Sequence, residues 1–109
     1  MTALHLAATK GQGNAIKLLV HRGASVNAET WLCTTALHVA AQAGHESIVE
    51  FLLQHGADIE GADACGLRPL HLAAIGGNSV VVQHLIRQGA SIKSHNRYGY
   101  SAIHVALLY

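Results

Sequence analysis

The chain has 109 residues, half of them apolar and 12% charged, with a formal net charge of +1. That apolar share excludes a disordered chain, the length predicts one domain, and the near-neutral balance argues against a strong generic pull on nucleic acid. No stretch approaches the roughly 18 apolar residues of a membrane span, and the start, MTALHLAATKGQG, lacks the basic segment and apolar core of a signal peptide.

The first predicted element is a short helix in TALHLAA, residues 2–8, with Thr2 placed to cap an orphan amide. Gly11 allows a turn, and Ile16, Leu19 and Val20 follow at helical spacing until Gly23 stops the second helix. Residues 24–34, ASVNAETWLCT, have no helical periodicity and read as a loop. The same series then begins again. Thr35 caps ALHVAAQ, Gly44 turns, Val49, Leu52 and Leu53 mark the next helix, and Gly56 ends it. In the third round Arg68 takes the cap position ahead of Pro69, where a first-turn proline is tolerated. Gly77, then Val82, Leu85 and Ile86, then Gly89 complete it. A fourth round opens with SAIHVAL at 101–107.

The period is 33 residues: His5, His38, His71 and His104 are each that far apart, and Gly11, Gly44 and Gly77 superpose at the same shift. A fixed period of this size signals stacked repeats. Zinc needs its ligands about 2.0–2.1 Å from one ion. Equivalent side chains on stacked helices stand roughly 8–10 Å apart. These histidines are therefore expected to be structural, tying backbone groups together through a ring that both donates and accepts. No metal site and no cofactor is expected. Cys33 and Cys65 form no disulfide framework, which suits a reducing compartment. Cys33 falls where Gly66 and Gly99 stand in the other loops; a side chain there is disfavoured at positive φ, so this loop is expected to be reshaped.

These residues, from TALHLAA through Gly11 to IKLLVHRGASVNA, resemble the ankyrin repeat. The resemblance covers the whole chain, in units of approximately 1–29, 30–62, 63–95 and a partial 96–109. It implies an all-α solenoid of stacked antiparallel helix pairs with projecting hairpin-like loops. It also implies a non-catalytic module, a scaffold or adaptor, that binds another protein through loop tips and the concave first-helix face. Carried onto this sequence, the partner-binding positions are Lys10, Trp31, Leu32, Thr34, Gln42, Leu67, Ile75, Arg97, Tyr98 and Tyr100. Trp, Tyr and Arg are the types enriched at binding hot spots. With the cysteine usage above, a cytoplasmic setting is expected, with the nucleus as the second choice.

No nucleophile–base pair, phosphate loop or C-x-x-C pair supports an enzyme, and no small-molecule substrate is expected. Two further readings stay open. The chain is a structural spacer in a larger multidomain signalling protein, or its faint basic-aromatic set (Arg68, Arg87, Lys93, Arg97, Tyr98, Tyr100) is a weak nucleic-acid-binding surface. Neither end carries a polar capping unit, as solenoids require, so a longer array, or ends covered by something else, is expected. Ile103, Val105, Leu107 and Leu108 are expected to fray or to self-associate. All six acids lie between residues 29 and 63, with Lys10, Lys17 and Arg22 before them and Arg68, Arg87, Lys93 and Arg97 after. Such a stripe is either a solvated surface or a means of orienting a partner.

Overall fold

Six helices form the regular structure of residues 2–90, the residues described by the computed structural model. They are α1 (Ala3–Thr9), α2 (Gly13–His21), α3 (Ala36–Ala43), α4 (Glu46–Gln54), α5 (Pro69–Ile75) and α6 (Ser79–Arg87). No strand occurs among these residues. Arg97, Tyr98, Tyr100 and His104, and the expected fraying at 101–109, lie outside them.

Each pair folds back on itself through a turn of two or three residues. α1, α3 and α5 pack against one another as an inner row, and α2, α4 and α6 form the outer row. Composition explains the difference between the rows. The inner helices bury Ala7, Ala8, Ala40, Ala41, Ala73 and Ala74, whose small side chains let the backbones approach closely. The outer helices fill the space behind with Ile16, Ile48, Val49, Leu52, Val81 and Leu85. Leu4, Leu37 and Leu70, one per unit, join the same core.

The outer helices end alike. The amide of Ala24 reaches the Leu19 carbonyl, Ala57 reaches Leu52, and Ala90 reaches Leu85, at 2.9–3.0 Å. These are Schellman closures, which satisfy carbonyls left orphaned at a helix end. At the other end of α6, Asn78 does not cap its own helix. Its Nδ2 donates instead to the carbonyls of Ala41 at 3.1 Å and Gln42 at 2.8 Å, closing the end of α3 in the preceding unit.

That contact explains two glycines. Gly44 has φ +81, and a Cβ there would stand 2.7 Å from the Asn78 side chain. Gly76 has ordinary helical dihedrals, but its Cβ would stand 2.3 Å from the Gln42 carbonyl oxygen. The inner helices of the second and third units therefore approach more closely at this end than any side chain allows. By contrast, Gly13, in the first turn of α2, has room: its Cβ would meet only Ile48 Cγ1 at 4.0 Å.

Two alanine substitutions should accordingly move stability in opposite directions. Gly76→Ala is expected to cost about 1–3 kcal/mol by overpacking. Gly13→Ala is expected to add about 0.5 kcal/mol, because alanine loses less chain entropy and clashes with nothing. Urea unfolding of both variants beside the parent checks the two signs.

Candidate functional site

The start of each inner helix is built from a hydroxyl residue and a histidine three positions on. In α3 the Thr35 Oγ1 accepts from the His38 amide at 3.4 Å, while the Thr35 amide donates to His38 Nδ1 at 3.1 Å. Thr35 Oγ1 and His38 Nδ1 are 2.8 Å apart. This is a capping box in which a histidine ring takes the place usually held by Glu or Gln. Thr2 and His5 repeat it in α1, with Thr2 N to His5 Nδ1 at 3.2 Å. In α5 only the ring half survives: Arg68 has no hydroxyl, and its amide donates to His71 Nδ1 at 3.1 Å.

The opposite ring nitrogen reaches into the next unit. His5 Nε2 lies 2.8 Å from the Thr34 carbonyl, and His38 Nε2 lies 2.7 Å from Gly61 O and 3.2 Å from Leu67 O. A carbonyl can only accept, so Nε2 carries the proton and donates. A backbone amide can only donate, so Nδ1 is the bare nitrogen. Each of these rings thus joins its own helix start to the loop that follows it. His5, His38 and His71 are all buried. Burial holds the His38 pKa below its ordinary 6.5, against the pull of the Gly61 and Leu67 carbonyls and of the Asp63 and Glu29 charges.

The loops held in this way are hairpins that lie side by side. Cys33 N donates to Thr30 O at 2.8 Å, and Thr30 N to Thr34 O at 3.0 Å. One unit later Gly66 N donates to Asp63 O and Asp63 N to Leu67 O, both at 2.9 Å. Side chains brace both turns equivalently. Thr30 Oγ1 accepts from the amides of Leu32 and Thr34, and Asp63 Oδ1 from those of Cys65 and Leu67. Between the loops, Ala64 N donates to Leu32 O at 2.9 Å. Asn27 clamps their incoming arms, donating to Gly56 O at 2.9 Å and accepting from Asp58 N at 2.7 Å.

The expected reshaping of the first loop does not occur. Cys33 takes φ +60, beside φ +78 at the equivalent Gly66, with the same hydrogen bonds. The turn bonds and the Thr30 brace hold the cysteine in a region that costs an L-residue about 1–2 kcal/mol. Both Cys33 and Cys65 are free thiols.

The sequence-predicted positions fall into two groups. Trp31, Leu32, Thr34 and Leu67 come together on the paired hairpins. Trp31 is 91% exposed and Leu32 51%, whereas Thr34 and Leu67 are half-buried and lend their carbonyls to the histidines. Lys10, Gln42 and Ile75 lie at the far ends of α1, α3 and α5. A helix of this length separates them from the hairpins by about 10–12 Å. Lys10 and Gln42 are exposed and Ile75 is half-buried. Sequence reasoning missed Asn27, whose equivalents Glu60 and Lys93 give no periodic signal. It also missed the Thr30 and Asp63 braces, although a short oxygen-bearing side chain three residues before Cys33 and Gly66 was the visible sign.

Arg68 pairs with Glu60 at 2.8 Å across the base of the second hairpin. Among the described residues, no three His, Cys, Asp or Glu side chains converge as metal ligands would. No helix among them is long and apolar enough to cross a membrane.

Family models agree with this geometry. One described as ankyrin repeats (3 copies) matches residues 1–63, and another, ankyrin repeats (many copies), matches residues 52–106. The chain belongs to the ankyrin repeat family. Members of that family are generally protein–protein interaction modules and generally non-catalytic. No match is found among curated proteins.

Two outcomes test the site's construction. The unfolded chain takes up the His38 proton first, because the folded ring resists it. The ring's contribution is therefore complete above pH 6.5 and is lost as pH falls below that value. His38→Ala should cost about 3 kcal/mol and flatten the pH slope of the urea midpoint between neutral and mildly acidic buffer. Cys33→Gly should add about 0.5–1 kcal/mol by relieving the positive φ, read by the same midpoint.

Proposed function

We propose that the chain is a scaffold or adaptor module that captures a partner protein on its paired hairpins, with Trp31 and Leu32 as the anchors. The observation that carries this reading is the exposure of Trp31. A tryptophan buries more apolar area than any other side chain when it finds a partner, yet this one stands 91% in solvent at the tip of a braced turn. It contributes almost nothing to the fold that holds it. Clustered aromatic and aliphatic anchors on a rigid frame are what binding hot spots consist of. The concave ends of the inner helices, with Lys10, Gln42 and Ile75, offer a second contact zone for a partner long enough to span both. Two unpaired thiols, Cys33 and Cys65, suit the reducing cytoplasm or nucleus.

A pure spacer would tolerate loss of the anchors. Trp31→Ala with Leu32→Ser is expected to leave the helical circular dichroism and the urea midpoint unchanged within about 0.5 kcal/mol, the usual range for surface substitutions. The same double variant should lose captured proteins in an affinity pull-down read by mass spectrometry. Identical capture by parent and variant would transfer the reading to a spacer.

A further inference from the structure

The two described hairpins have a one-sided charge. No lysine or arginine occurs between Arg22 and Arg68, and every acid of the chain lies in that interval. Glu29 lies on the first loop and Asp58, Glu60 and Asp63 on the second, and the Asn27 clamp and the Leu32–Ala64 bond hold these loops side by side. Glu29 and Asp63 both stand close enough to act electrostatically on His38. Arg68 neutralises Glu60. Among the described residues no cation pairs with Glu29, Asp58 or Asp63. Asp63 and Asp58 also accept backbone amides, which fixes their carboxylates in place. Glu29 and Asp58 are exposed, and Glu29 is two residues from Trp31.

An exposed indole on paired loops whose exposed carboxylates have no cation partner has a definite complement. The ring face attracts a guanidinium or ammonium group, and arginine is the commoner occupant. Flanking acids raise the local concentration of cations and repel polyanions. Leu32, half-exposed next in the chain, adds an apolar contact that a free metal ion cannot use.

We propose that this face docks a basic, extended segment of a partner protein. An arginine of the segment lies over Trp31, an apolar neighbour rests on Leu32, and further cations meet Glu29 and Asp58. This inference rests on the reading of the hairpins as the binding face and adds the chemistry of the partner.

Trp31 is the chain's sole tryptophan, so its emission reports on this face alone. The probe is a fluorescein-labelled dodecapeptide of arginines and leucines set among glycines and serines. Two companions replace each arginine by glutamine or by glutamate. Binding to the whole chain is followed by peptide anisotropy and by Trp31 emission. The arginine peptide is expected to bind saturably with a change in Trp31 emission, and the glutamate peptide not at all. Its affinity should fall about tenfold in Glu29→Gln/Asp58→Asn, which keeps the oxygen that accepts from Glu60 N, and by a similar factor at roughly 0.3 M salt.

Glu46→Gln/Glu50→Gln, on the exposed side of α4, should leave the affinity unchanged. An equal loss in that variant would mean indiscriminate attraction of a polycation and would overturn the proposal. Equal affinity for the arginine and glutamine peptides, both lost in Trp31→Ala, would overturn the basic partner while keeping the hairpin as a binding face. Arginine-peptide anisotropy unaffected by Trp31→Ala would remove the hairpin reading itself.

Discussion

The interaction on which the rest of the structure depends is the bifunctional histidine at the start of α1 and of α3, His5 and His38. Neutral imidazole has one donor and one acceptor on opposite sides of a rigid ring. Its acceptor closes the first turn of its own helix, and its donor reaches the loop of the next unit. One side chain therefore settles two problems at once: the orphan amides of a short helix and the orientation of a loop that has almost no core of its own. A longer amide or carboxylate could cap the helix but could not donate across to Thr34, or to Gly61 and Leu67, with the same rigidity. Burial makes the arrangement conditional on the neutral ring, since a second proton would point at an amide that can only donate.

Stacking follows from volume rather than from polar bonds. Alanines on the inner row and branched aliphatics on the outer row give each unit a wedge-like distribution of bulk. A unit of two short helices cannot bury both of its faces alone, so the core is completed only between neighbours. The closest approach, Gly76 against the Gln42 carbonyl, lies at the end of the inner helices remote from the hairpins. Asn78 reinforces it by capping α3 from the unit behind. The second unit is thus tied to the third at both ends of the inner helix, by His38 at one and by Asn78 and close packing at the other.

The hairpins inherit their rigidity from this frame, which frees their tips from structural duty. Thr30 and Asp63 brace the turns from within, and the Cys33 backbone is held at a dihedral that a cysteine adopts only under such restraint. Trp31 and Leu32 are left to project. Strain and exposed apolar surface on a rigid element are features that folding alone does not favour. Their coincidence with uncompensated carboxylates is the basis of the chemical preference proposed for this surface.

Periodicity was enough, from the sequence by itself, to determine the all-α repeat architecture. The 33-residue recurrence of histidine, glycine and alanine reflects one supersecondary unit solved several times, and each recurring residue type has one dominant physical use. The caps at Thr2 and Thr35, the stops at Gly23, Gly56 and Gly89, and the burial of the aliphatic rows were legible because they are local or periodic. Candidate contacts such as Trp31 and Leu32 were legible as loop residues of binding type. Tertiary structure alone decided the non-periodic features. Asn27, Glu29 and Asp58 come together only when two loops pair, and nothing in their spacing announces it. The left-handed conformation of Cys33 went against its local preference, because bonds from neighbouring residues outweighed the cost of one strained dihedral.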